Sequence, residues 1–369
     1  MQYCPTRTSL FTTASVLGLA VLGVSAGLLA ACATTSSDRL AELPRTDVDV
    51  GAAEGVRAAV LLDGLMNPSG LSFAPDGALM VVDSGNGRVL RVDEQGSAPY
   101  LTGFDTEYWK IDPESGAKRF LLGPLSALWM EDDVLAVTDG GKADGLDRVG
   151  FFRGPGTAAD GTYTAGIAPT SDDPADLGEG NPIGLALGPD GNTLYMAGQG
   201  ADAKTWVLTA SRKHTSFTPL LSADEHGIST NSPMQVLVES DDTLLVLYSG
   251  AGGQEDGLLV RWSLATKSPI ATYPLPGVID PMGMDFYPGT RSRLAVVDNN
   301  WALTDVQNGS LFEVVLPARG NEVRVTRLAD NLAGPVACCF GPDGSLYVAQ
   351  LGARFDAGLG QVLVIGGLE

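Results

Sequence analysis

Histidine is nearly absent from this chain: His214 and His226 are the only two in 369 residues. A pair cannot build a multi-histidine zinc site, and no further imidazole is available as the base of a catalytic triad. Both read as solvated surface residues. Basic side chains are scarce as well, with 23 Lys and Arg against 44 Asp and Glu and a formal net charge of -21. A surface this negative repels phosphate backbones and offers no basic patch to anionic lipid, so nucleic-acid binding is excluded as a class. The acidity serves solubility, or else it attracts a divalent cation or a basic partner.

Charge is missing altogether between Leu10 and Ala31, where every residue is apolar or small, while Arg7 supplies a positive start. The run approaches the length of a membrane-spanning helix, so an uncleaved anchor is one reading. The other comes from Leu29-Ala30-Ala31-Cys32, which resembles the lipobox of bacterial lipoprotein signal peptides. That resemblance implies lipidation of Cys32 and cleavage before it. With Ala33 rather than Asp next, it implies the outer membrane if the host is Gram-negative, facing the periplasm or the exterior. The expected organisation is a signal peptide over 1–31, a lipidated Cys and flexible tether over 32–55, and one domain over 56–369. As a random coil the tether would span about 25 Å.

Within the domain one pattern recurs six times: a proline, a short apolar run, a turn, a second apolar run, a Gly/Asp-rich loop and a third run. The openings are NPSGLSF at Asn67, GPLSALW at Gly123, NPIGLAL at Asn181, SPMQVLV at Ser232, DPMGMDF at Asp280 and GPVACCF at Gly334. Three turns are spelled Pro-Asp-Gly, at Pro75, Pro189 and Pro342, a composition suited to tight hairpins. Spacings of 48 to 58 residues between opening prolines match four-stranded propeller blades. The last repeat ends after its third strand. The segment before the first repeat, VRAAVLLDGLMNP from Val56, aligns with VRVTRLADNLAGP from Val323. Residues 56–62 are thus expected to supply the missing outer strand of blade six and close an all-β, six-bladed ring.

From Val56 to Gly367 the chain resembles the NHL-repeat and SMP-30/gluconolactonase-like six-bladed propellers, most closely in NPSGLSFAPDGALMVVDSGNGRVLRV. That resemblance implies one divalent metal in the central channel, with a Glu of the first blade among its ligands. Asn67-Pro68-Ser69 stands where that Glu would be, and Asp298-Asn299-Asn300 best matches a metal-binding stretch of the family.

Candidate site residues follow from aligning the repeats. The second strands end in Asp83, Asp139, Gly198, Tyr248, Asp298 and Gln350, and the openings begin with Asn67, Gly123, Asn181, Ser232, Asp280 and Gly334. In a propeller both columns lie on one face. Asn67, Asp83, Asp139, Asn181, Asp280, Asp298 and Asn299 are therefore expected as channel-face ligands, with Asp83, Asp139 and Asp298 as the set for a hard cation such as Ca²⁺. The alternative is that each Asp or Asn caps its own turn. Insertions at 103–119 and 153–179 enlarge the loops leading into blades two and three. Tyr108 and Trp109 are candidate rim contacts, or Trp109 merely pins its own loop. The adjacent Cys338 and Cys339 read as two buried thiols, since strand neighbours point to opposite faces; a vicinal disulfide, as in some quinoproteins, is the other possibility. No catalytic constellation is complete. The expected function is a membrane-anchored, non-catalytic propeller binding a protein or small ligand at an acidic channel face; the alternative is a Ca²⁺-dependent lactonase or esterase.

Overall fold

Three features of the repeats dictate the architecture, and a computed structural model shows how. It describes residue 40 and residues 43–111, 115–131, 133–143, 145–166, 179–200, 204–213, 216–228, 232–300 and 308–368. The first feature is the Pro-Asp-Gly turn. Asp76, Asp190 and Asp343 each accept a backbone N–H two residues on, from Ala78, Asn192 and Ser345. The glycines between them take φ of 84°, 64° and 79°, the left-handed region that glycine enters without steric cost. Each turn folds the inner strand of a blade back onto the second.

The second feature is the unbroken apolar character of the second strands. Leu79–Asp83, Val134–Asp139, Thr243–Ser249, Arg293–Asp298 and Leu346–Gln350 are almost wholly buried. Each lies between its own blade's neighbours and the faces of the flanking blades, so both sides of the strand need apolar residues. Blade-to-blade clusters result, such as Met80, Val82, Ala127, Leu135 and Val137 between blades one and two. Each fully buried Leu or Val there contributes about 1.5–3 kcal/mol.

The third feature is small residues two places after alternate opening prolines. A Cβ on Gly70 would sit 2.8 Å from the Leu125 carbonyl oxygen, and one on Gly283 would sit 2.9 Å from Ala337 Cα. These are the points where inner strands of neighbouring blades converge around the axis. Six antiparallel blades follow, with inner strands Pro68–Phe73, Pro124–Met130, Leu185–Leu187, Ser232–Ser240, Pro281–Phe286 and Pro335–Phe340.

Closure is as expected. Arg57–Leu65 pairs antiparallel with Gly360–Gly366, Arg57 opposite Gly366 and Val60 opposite Leu363, completing blade six. The tether differs from expectation in its described part. Thr46–Val48 adds a fifth strand outside Arg57–Leu65, pairing Thr46 with Val60 and Val48 with Ala58. Val50 and Leu40 are buried, and Asp330 N donates to Val50 O. The apolar residues Leu40, Val48 and Val50 are what hold this stretch to the blade rather than leaving it as coil. Among the described residues no helix is long and apolar enough to cross a membrane.

Candidate functional site: the mouth of the central channel

The residue directly after each opening proline faces the axis. Ser69, Leu125, Ile183, Met234, Met282 and Val336 form one such ring, and all six line a cavity of about 80 Å³ at the end of the channel. Asn67, Asn181, Ser232, Ser249 and Asn299 supply its polar atoms. Leu351, and Trp109, Phe120 and Leu122 from the insertion before blade two, complete the apolar wall. No ionisable side chain lines it among the described residues. The expected acidic channel face is therefore corrected to an apolar one with an amide and hydroxyl fringe.

The acids expected there are present on the right face but turned into the loops. Asp83 is fully buried and accepts from Met66 N at 2.7 Å, Asn86 Nδ2 at 2.9 Å and Arg88 Nε at 2.7 Å. Asp139 pairs with Arg148 at 2.8 Å; its Oδ1 is buried without a hydrogen-bond partner but does not line the cavity. Asp298 accepts from Ile279 N and Asp280 N at 3.0 and 2.6 Å. Burial pushes its carboxyl up, partly offset by these N–H groups. Asp280, equally buried, also lies away from the cavity lining. Asp83, Asp139 and Asp298 each tie the end of a second strand to the loop leading into its blade or to a neighbouring arginine, which is the turn-capping alternative. Among the described residues no three Asp, Glu, His or Cys side chains converge to hold a metal. Asn299 Oδ1 is a buried, unpartnered oxygen on a cavity-lining residue, yet one neutral oxygen does not make a Ca²⁺ site, which takes six to eight. The expected set Asp83, Asp139 and Asp298 does not fit the ion.

The asparagines are placed by backbone conformation. Asn67 and Asn181 have φ of 48° and 50°, a left-handed geometry that Asn tolerates better than most residues. Asn181 N donates to Asp147 Oδ2 at 2.7 Å, and Asn299 Nδ2 to Pro335 O at 3.0 Å.

The insertion at 103–119 forms a two-stranded hairpin, Glu107–Ile111 with Lys118–Leu122, which belongs to no blade. Alternation along its first strand separates the two candidate aromatics. Trp109 lines the cavity and packs on Phe120, ring centroids 5.8 Å apart. Tyr108 is exposed on the other side, with Lys118 Nζ 5.4 Å from its ring. The insertion at 153–179 is no rim in its described part. Gly156–Thr157 pairs with the outer strand of blade one, and Thr162–Tyr163 is the fourth strand of blade two.

Cys338 and Cys339 are free thiols. Cys338 packs with blade-five residues such as Ala295 and Cys339 with blade-one residues such as Leu71, opposite faces of one strand as expected. Burial raises both thiols well above their ordinary range. His226 Nε2 lies 3.1 Å from Lys267 O and does not line the cavity; Cys32 and His214 lie outside the described residues.

The feature that sequence reasoning missed is the ring after the prolines. Its signal was legible: five of six residues in that column are Leu, Ile, Met or Val.

No family profile and no curated protein matches the chain. Solved structures do. A putative oxidoreductase (glucose dehydrogenase) of Thermus thermophilus is 18% identical, with 85% of this chain and 100% of that one covered and a TM-score of 0.54. A gluconolactonase of Xanthomonas campestris is 12% identical, with 88% and 97% covered and a TM-score of 0.54. The PQQ-bound aldose sugar dehydrogenase of Streptomyces coelicolor is 12% identical, with 85% and 100% covered and a TM-score of 0.53. At these identities the likeness is one of fold: the chain is a six-bladed β-propeller of the architecture found in gluconolactonases and sugar dehydrogenases.

Proposed function

We propose that this protein is an envelope-anchored binding propeller whose channel mouth takes a small, uncharged, largely apolar ligand. The observation that carries the reading is the cavity wall: residues from all six blades converge there, and no acid, base or cation among the described residues joins them. Hydrolysis or hydride transfer needs a group that moves a proton or stabilises developing charge at the reacting atoms. An apolar wall with a few amides and hydroxyls instead suits recognition, with burial for affinity and the fringe for orientation. Anchoring rests on the lipobox at Cys32.

The second reading, a Ca²⁺-dependent lactonase, is favoured by the fold likeness to a gluconolactonase. The partnered carboxylates argue against it. PQQ fits no better, since among the described residues the cavity presents no charged side chain to a tricarboxylate.

N-phenyl-1-naphthylamine is a suitable neutral probe, because Trp109 in the wall can transfer excitation to it. Saturable binding is expected, with a Kd on the order of 10 μM. Met282→Glu should weaken it at least about tenfold by placing a charge in the apolar wall. Millimolar Ca²⁺ should leave the melting temperature where EDTA leaves it. No saturable binding, or a Ca²⁺-dependent rise in melting temperature with lactone turnover, would reverse the order of the two readings.

A further inference from the structure

The apolar ring of the channel mouth has a second ring beneath it. Gly70, Ser126, Gly184, Gln235, Gly283 and Ala337 each stand two places after an opening proline, and all six line a space of about 30 Å³. Neighbours on a strand ordinarily point to opposite faces. Here the strand register slips directly after the proline in four blades, between Pro68 and Gly70, Pro233 and Gln235, Pro281 and Gly283, and Pro335 and Ala337. Such a bulge re-aims a side chain, so two consecutive positions face the axis. Ser69, Ile183, Met234, Met282 and Val336 of the first ring line both spaces, which therefore adjoin.

Five of the six residues in the second ring are Gly, Ser or Ala. Gln235 is the exception, and a neighbouring glycine leaves room for its carboxamide. A Cβ on Gly184 would meet Gln235 Oε1 at 2.0 Å and Met234 O at 2.7 Å, so the amide of blade four lies against bare backbone of blade three. Among the described residues no protein group hydrogen-bonds that amide. Ser69 Oγ, by contrast, donates to Pro124 O at 3.2 Å. No Asp, Glu, Lys, Arg or His lines this space among the described residues. Cys338, which does line it, is kept a neutral thiol by burial. An amide with two N–H donors and an acceptor oxygen thus stands at the foot of an apolar wall. The space before it holds one or two waters or a single small polar group.

We propose that Gln235 reads the polar end of the ligand. The site takes a slim, uncharged amphiphile, its apolar part against Leu125, Ile183, Met234, Met282 and Val336 and a terminal carboxamide or hydroxyl on the Gln235 amide. This inference rests on the binding reading above and adds the ligand's chemical class and its direction of entry, polar end first. A primary amide matches best, because it accepts from Nε2 and donates to Oε1 at once. A charged end finds no counter-charge there and is desolvated without compensation. A purely apolar end displaces water from the amide and leaves its donors and acceptor unsatisfied.

The experiment is calorimetric titration of the wild type and of Gln235→Met with pentanamide and with 1-chloropentane. Methionine keeps the length of the side chain and removes both hydrogen-bonding ends. Pentanamide should lose about tenfold or more in affinity in the variant. Chloropentane should gain, since its halogen then meets a thioether instead of an amide that it leaves unsatisfied. The wild type supplies a test that needs no variant: the Gln235 side-chain amide signals in a nitrogen-resolved NMR spectrum should shift far more with pentanamide than with chloropentane. Equal affinity changes for the two ligands in a folded Gln235→Met, or Gln235 signals unmoved while pentanamide binds, would overturn the role of Gln235 and leave the binding reading standing. A wild type that binds neither ligand would overturn both.

Discussion

At the scale of single residues, the carboxylates decide how the channel face is to be understood. Asp83 shows it most directly: with three donors around it and no exposure, it is a loop fastener. Asp83→Ala removes the acceptor for Met66 N and leaves Arg88 without its carboxylate partner. A loss of about 2 kcal/mol is expected, the cost of leaving the Met66 N–H without its charged acceptor, measured by urea unfolding. Probe affinity should hold, because Asp83 does not touch the cavity; a channel metal ligand would instead cost Ca²⁺ affinity and little else.

Between blades, the junction of five and six carries an ionisable group in an unusual place. Asp285, on the inner strand of blade five, accepts from Phe286 N and, across the junction, from Phe340 N, each at 2.8 Å. Burial pushes its pKa up to about 6, against those two bonds. The folded protein therefore holds this proton more tightly than the unfolded chain. Stability from this group is full below the ordinary carboxylate value near 3.8 and is lost as pH rises through about 6. Asp285→Asn does not titrate, so the wild type should gain on the variant by about 2 kcal/mol between pH 7 and pH 4.5. Unfolding titrations at the two pH values measure that gain. No relative change would mean that water reaches the carboxylate and that the junction is looser than it looks.

For the whole ring, closure is the decisive contact. A chain starting at Val56 keeps Arg57–Leu65 on Gly360–Gly366 and loses only the Thr46–Val48 strand and the packing of Leu40 and Val50. It should keep the oligomeric state of the longer chain, with a lowered melting temperature. A chain starting at Met66 leaves the apolar strand Gly360–Gly366 with an open edge, and such edges pair with other chains. Aggregation is expected from that second chain in size-exclusion chromatography. A well-behaved monomer would mean that six blades close without the shared strand.

What the sequence determined by itself was periodic and local. The Pro-Asp-Gly turns, the doubly buried second strands and the alignment of Val56 with Val323 fix blade number and closure, because each is a short-range pattern that recurs along the chain or is matched once across the ends. The thiol character of Cys338 and Cys339 was legible for the same reason, through strand alternation. The tertiary structure alone decided where side chains near the axis point. Two columns of polar residues lie on one face in either reading. Whether Asp83 and Asp298 meet a channel or a backbone N–H depends on loop paths from residues 17 and 18 positions away. The bonds from Phe120 N and Leu121 N to Asp356 are further still from sequence reach: Asp356 and Phe120 are 236 residues apart, and only ring closure brings the loop of the last blade to the hairpin before the second.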